Sequence, residues 1–182
     1  GKNRYATEED LRQLCVLADA SPEMDCFWPL MMPGEYTGEL QEFKATEIAL
    51  RNIGKHVQCS SASGDLARYQ IEMAQTVAGG SEAFRKNPVL SLLSAPTTPL
   101  AIEHGIADAI VESARAGVPI IPMSLPQMTT TSPATFAADT LLVNSENLAC
   151  YMIAKCAAED ARVFYASDAG APNLFDGGID YE

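Results

Sequence analysis

The residues best suited to chemistry in this sequence are hydroxyls gathered into short runs. "MTTTSPATFAAD", Met128 to Asp139, sets threonines and a serine ahead of a proline and an apolar stretch. Ser60-Ser61-Ala62-Ser63 and Ser94-Ala95-Pro96-Thr97-Thr98 repeat the theme, and Ser167-Asp168 adds a carboxylate. Hydroxyls donate and accept neutral hydrogen bonds, so such runs suit holding a ligand and do not by themselves break a bond. A serine nucleophile needs a base beside it, and no G-x-S-x-G sequence stands here. The two histidines, His56 and His104, lie outside any H-E-x-x-H or comparable cluster and away from strand carboxyl ends, so no metal site within the chain is expected.

These runs need elements to hold them in place. Just upstream of the threonines, "VPIIPMS" from Val118 reads as a buried strand, and Ser132-Pro133 predicts a helix start with the serine as cap and the proline in the first turn. Further strands are expected at "MDCFW" from Met24, "KHVQCS" from Lys55, "PVLSLLS" from Pro88 and "ARVFYAS" from Ala161. Helical periodicity fills the gaps. Thr7 caps "TEEDLRQLCVLAD"; "GELQEFKATEIALRNIG" stops at Gly54; Ser63 opens a helix ending at Gly79-Gly80; "LAIEHGIADAIVESARAG" closes at Gly117; and a long helix runs from Ser132 to about Ala158. Strand starts recur about every thirty to forty residues, which is βαβ alternation around a parallel sheet. An open doubly wound sheet and part of an eightfold barrel both fit, although no G-x-G-x-x-G or Walker sequence supplies the usual phosphate reason for an open sheet.

In both architectures ligands gather at the carboxyl ends of the strands. The candidate substrate-binding residues are therefore Trp28, Ser60, Ser61, Thr97, Thr98, Gln127, Thr129, Thr131, Ser167 and Asp168, with no catalytic residue assigned. Trp28 offers its ring face to a cation or fills core. Asp168 orients a cation, accepts a proton or caps its loop, and the threonines bond a ligand or satisfy loop backbone. A pocket of this kind binds rather than hydrolyses.

With 182 residues, 47% of them hydrophobic, the chain can build one substantial core, and a single domain over 1–182 is expected. A net charge of -12 repels phosphate backbones, which argues against nucleic acid and mildly favours a cationic ligand. No apolar run reaches the roughly 18 residues of a membrane span, and the amino terminus is too polar for a signal sequence, so a cytoplasmic protein is expected. The five cysteines are scattered singly and read as buried reduced thiols. After the last strand, "ASDAGAPNLFDGGIDYE" carries no helix. Five strands do not close an eight-stranded barrel, so the expectation is the central part of a longer barrel, truncated at both ends, with exposed sheet edges.

The stretch "ARAGVPIIPMSLPQMTTTSPATFAADTLLVNSENLA" carries a resemblance as well. Ala114-Arg115-Ala116-Gly117 and Pro119, then Thr131, Pro133 and Thr135, then Asn144, Glu146, Leu148 and Ala149 follow the pattern A-R-A-G-x-P-V-I…A-T-A-P-V-T-L-A-G…N-A-E-x-L-A of the trimethylamine methyltransferase family. "TEEDLRQLCVLADA", "DCFWPL", "EMAQTVAGGSEAFRKNPVLSLL" and "TTPL" are similar to that family too, so the resemblance covers nearly the whole chain. It implies an α/β fold: a partial (β/α)8 TIM barrel of about five parallel βα units. It also implies transfer of a methyl group from a tertiary or quaternary amine, trimethylamine or betaine-like, to the Co(I) corrinoid (cobalamin) of a separate corrinoid protein, with none bound by this chain. A homo-oligomer is expected of the full-length protein. Two stretches depart from the family pattern: Thr129-Thr130-Thr131-Ser132-Pro133 replaces G-A-T-A-P, and Ala95-Pro96-Thr97-Thr98-Pro99-Leu100 replaces N-V-N-S-P-L. The pyrrolysine of trimethylamine-using members is expected beyond Glu182. A non-catalytic binder and an unrelated barrel lyase or isomerase are the competing classes.

Overall fold

The computed structural model describes residues 4–173 and 178–180. Cap chemistry fixes where α1 (Glu8–Ala20) begins. Thr7 Oγ1 accepts the Asp10 amide at 3.3 Å and the Asp10 carboxylate accepts the Thr7 amide at 2.8 Å, which satisfies two donors the helix itself leaves over. Arg4 donates to the same carboxylate at 2.7 Å and holds it far below the usual carboxylate range. Glycines end two later helices as their sequence predicts: α3 (Gly64–Ala78) closes on Gly79 at φ 85° and α5 (His104–Ala116) on Gly117 at φ 81°, left-handed conformations that cost a side chain dearly.

The remaining elements are β1 (Cys26–Phe27), α2 (Glu39–Asn52), β2 (His56–Ser60), α4 (Ser81–Lys86), β3 (Leu90–Ser94), β4 (Ile120–Ser124), α6 (Phe136–Ala157), β5 (Ala166–Ser167), β6 (Ala171–Pro172) and β7 (Ile179–Asp180). The first five strands form one parallel sheet in the order β1-β2-β3-β4-β5. That order decides between the two architectures. A doubly wound sheet reverses its strand order at a switch point, whereas here each crossover advances to the next strand. The helices α1, α2, α3, α5 and α6 pack each on the next in one layer, and the sheet curls into a half-barrel.

Alternation along the strands divides the sheet's two faces. Val57, Cys59, Leu90 and Leu92 join Phe27 and the fully buried Phe84 of α4 in the larger core cluster against the helices. Ile120 meets Ile110 and Cys150 in a second cluster under α5 and α6. Gln58, Ser60, Ile121 and Met123 occupy the other face and stay half-exposed.

Several boundaries differ from the sequence reading. The long helix starts at Phe136, not Ser132, and its N-cap Thr135 makes no side-chain cap bond. Ser132 donates its hydroxyl to the buried Asp139 instead, while its amide joins those of Thr130 and Thr131 on the Gln127 carbonyl at 2.9 to 3.1 Å. A tight turn thus takes the residues expected to begin the helix. The last strand of the sheet is shorter than "ARVFYAS": Val163 bridges Ile120, but ladder pairing resumes only at Ala166, leaving Phe164 and Tyr165 exposed. The antiparallel β6-β7 pair follows where only loop was expected, and residues 174–177 and 181–182 of that stretch lie outside the described residues. α4 was not foreseen.

The cysteines are all free, and two of them, Cys26 and Cys156, are exposed rather than buried. Burial pushes the Cys59 thiol up to about 12 and those of Cys15 and Cys150 up to about 11. A maleimide at neutral pH is expected to label Cys26 and Cys156 in the folded protein and the other three only after unfolding, a pattern that peptide mass spectrometry reads directly.

Candidate functional site

Each candidate residue falls at or just past the carboxyl end of a strand. Trp28 follows β1, Ser60 ends β2 and Ser61 follows it, Thr97 and Thr98 follow β3, Gln127, Thr129 and Thr131 follow β4, and Ser167 ends β5 with Asp168 just after it. They therefore share one rim. Strand pairing draws four of them close: Gln127 bridges Gly170, Thr131 Oγ1 accepts the Gln127 amide at 2.9 Å, and the Ser124 carbonyl accepts the Asp168 amide at 3.0 Å and Ser167 Oγ at 3.4 Å. Trp28 and Ser60 stand apart from this group, on the far strands of the sheet. Ser167 also lines a cleft of about 340 Å³ with Met128, Asp139, Val143, Tyr165 and Gly170.

Many of the hydroxyls already serve their own loops. Ser61 Oγ donates to the Ser63 carbonyl at 3.1 Å, Thr97 Oγ1 to Glu103 at 3.0 Å and Thr98 Oγ1 to Glu146 at 2.9 Å. A hydroxyl that has given its proton keeps lone pairs for an incoming donor. Thr129, exposed at the tip of its turn with φ 67°, lies in the left-handed region that a threonine adopts only under tight local constraint. The end of β2 is braced from behind. Gln70 of α3, almost fully buried, donates to the Ser60 carbonyl at 3.0 Å and to Thr46 Oγ1 of α2 at 2.9 Å.

Polar residues on the helices complete the rim, and sequence reasoning gave them no site role. Glu146 of α6, 2% exposed, accepts the Leu100 amide at 2.7 Å along with the hydroxyls of Thr98 and Ser124. Its neighbour Asn147 accepts the Ser124 amide at 3.2 Å and donates to the Ala166 carbonyl at 2.6 Å, stitching β4 to β5. Glu42, in the first turns of α2, accepts the Ala62 amide at 3.3 Å, and burial pushes its carboxyl above the usual range. His56 opens β2, at the end of the strand away from the rim, and burial lowers its pKa. His104 opens α5 and is exposed, with Nδ1 3.0 Å from Asp108. Among the described residues no group of three or more His, Cys, Asp or Glu is placed to hold a metal ion, and no helix is long and apolar enough to cross a membrane.

The family model described as "Trimethylamine methyltransferase (MTTB)" matches residues 1–177. The chain belongs to this family. It is 29% identical over 164 residues to the trimethylamine methyltransferase MttB of Desulfitobacterium hafniense, covering 90% of this chain and 33% of that protein. It is 27% identical over 164 residues to the trimethylamine methyltransferase MttB of Methanosarcina barkeri, covering 89% of this chain and 33% of that protein. A glycine betaine methyltransferase from another Desulfitobacterium hafniense strain is 26% identical over 180 residues, 98% of this chain and 38% of its own length. The chain thus spans about a third of the length of these relatives. Two residues that fit the trimethylamine methyltransferase pattern point different ways: Asn144 is exposed and accepts the Tyr165 hydroxyl at 2.9 Å, whereas Glu146 turns inward to the rim.

Proposed function

We propose that this chain forms the amine-gripping part of a methyltransferase that moves a methyl group from a tertiary or quaternary amine to the Co(I) corrinoid of a separate corrinoid protein. We read its five βα units as the middle of an eight-unit barrel and the whole protein as a cytoplasmic homo-oligomer. The supporting observation is membership of the trimethylamine methyltransferase family across residues 1–177, joined to a rim of neutral hydroxyls with Trp28 and Asp168 on it.

The reaction asks little of the protein's own groups. The methyl acceptor is already a strong nucleophile, and when the C–N bond of a quaternary ammonium breaks, its electron pair stays on nitrogen and a neutral amine leaves; a tertiary amine meets the same condition as its protonated ammonium, which leaves as the neutral secondary amine. No general base is required, and positioning supplies the acceleration. A quaternary nitrogen has no N–H to donate, so an aromatic face or a carboxylate is its natural partner; Trp28 offers the first at the β1 edge of the rim and Asp168 the second at the β5 edge, an aromatic contact being worth ~0.5 to 2 kcal/mol. The hydroxyl of Thr131, whose oxygen accepts the Gln127 amide and whose proton is free to donate, would meet the substrate's polar end, such as the carboxylate of a betaine.

The test incubates the whole protein and a reduced corrinoid protein with trimethylamine, glycine betaine and related amines, and measures release of the demethylated amine. Turnover with one of them is the expected result. Amine binding without demethylation across the series would overturn the proposal and leave a non-catalytic binder.

A further inference from the structure

We propose that Glu146 is a positioning residue whose hydrogen bonds, rather than its charge, set the rim loops after β3 and β4. This rests on the reading of the rim as the amine-binding edge. One side chain on α6 meets the loop after β3 twice, through the Thr98 hydroxyl at 2.9 Å and the Leu100 amide at 2.7 Å, and meets the end of β4 through the Ser124 hydroxyl. These partners lie 48, 46 and 22 residues away in sequence, so the contact is not a local turn.

A helix that only needed to pack on the sheet would place an apolar residue here, as α6 does with Cys150 and Ala154. Burying a carboxylate at 2% exposure is costly unless donors meet it, and three do. Two of the three belong to the segment that carries Thr97 and Thr98 to the rim. The third partner, Ser124, receives Ser167 Oγ and the Asp168 amide on its carbonyl, so the same carboxylate also fixes the frame of the β5 candidates.

The geometry separates hydrogen bonding from charge. A glutamine at this position can accept the Leu100 amide with its carbonyl and donate from its amide nitrogen to the Thr98 and Ser124 hydroxyls, which rotate to accept. Alanine keeps none of the three.

The experiment uses the whole protein with Glu146→Gln and Glu146→Ala, reading amide exchange at Leu100 and the kinetics of methyl transfer. In Glu146→Ala, Leu100 exchange is expected to rise about tenfold or more, and kcat/KM to fall roughly 10- to 100-fold, chiefly through KM, with thermal unfolding used to confirm the fold. Glu146→Gln is expected to stay within about threefold of the unmodified protein on both readouts. If Glu146→Ala does not fold, Thr98→Val removes one of the loop's bonds and moves both readouts the same way by less. A glutamine variant as impaired as the alanine one, or a Leu100 amide indifferent to Glu146→Ala, overturns the proposal. Should the unmodified protein demethylate no amine, the function proposed above falls, and Leu100 exchange in the same two variants still decides the role of Glu146.

Discussion

Asn147→Ala is expected to destabilise the protein by about 3 kcal/mol, with β5 loosening before the rest of the sheet. The magnitude follows from what the side chain leaves behind. Asn147 is 1% exposed and serves two backbone groups on adjacent strands, the Ser124 amide at 3.2 Å and the Ala166 carbonyl at 2.6 Å. Truncation leaves a buried donor and a buried acceptor without partners, each costing roughly 1 to 3 kcal/mol, and the two costs are not fully additive because a short strand can shift toward water. That shift is why β5 should respond first: it is a two-residue strand at the edge of the sheet, paired with Met123 and Ser124, and the asparagine ties it to α6 as well as to β4. Asn147→Asp separates the two halves, since it keeps an acceptor for Ser124 and turns a carboxylate oxygen toward the Ala166 carbonyl. A loss comparable to alanine is expected. Thermal unfolding gives the overall change, and exchange at residues 163–168 tests the order of loosening; a change under about 1 kcal/mol would mean that the strands hold each other without α6.

The Asn147 stitch also marks where sequence reasoning stops. Helix ends are legible wherever the chemistry is local: Thr7 with Asp10, Ser63 with Leu66, and the left-handed Gly79 and Gly117 need only their immediate neighbours. Strand positions are legible for a similar reason, because a short apolar run between helices has few other places to go. The start of α6 was misjudged because Ser132-Pro133 satisfies a local rule that a competing interaction overrides; the hydroxyl reaches Asp139 and the backbone folds back on Gln127. Periodicity alone left barrel and open sheet both standing, since the choice depends on which strands become neighbours; the family resemblance implied the barrel, and the strand order β1 to β5 bears it out. The rim shows both sides of this. Its wealth of hydroxyls at strand ends could be read directly, but which of them are engaged could not: Thr98 is held by a residue 48 positions away. A buried Glu-Asn pair in mid-helix was the available signal. In sequence it is indistinguishable from an exposed polar pair, because Ser145 and Asn144 beside it do face water.

Gly105→Ala is expected to cost about 3 kcal/mol or more, although helix propensity alone predicts a gain of about 1 kcal/mol for that exchange. The contradiction resolves on distance. Gly105 lies in the first turn of α5, and a methyl group there would come to 2.1 Å from the Ala62 carbonyl oxygen and 3.2 Å from its carbon. Backbone cannot swing aside as a side chain would, so α5 or the Ser61–Ser63 segment must move bodily. Gly64 repeats the device from the opposite side, where an added Cβ would approach Asp108 Cβ at 2.9 Å. Two glycines thus let α3 and α5 close on each other next to the rim, and the segment they trap is the one bearing Ser60 and Ser61. Gly54→Ala provides the comparison, because the nearest atom to its added Cβ is Asp19 Oδ1 at an ordinary 3.6 Å; it should change stability by less than about 1 kcal/mol. If amine demethylation is the activity, Gly105→Ala should weaken it beyond what the loss of folded protein explains, since the Ser60–Ser61 part of the rim is displaced even in molecules that fold. Equal thermal stability in the Gly105 and Gly54 variants would mean that α5 does not make this close approach in solution.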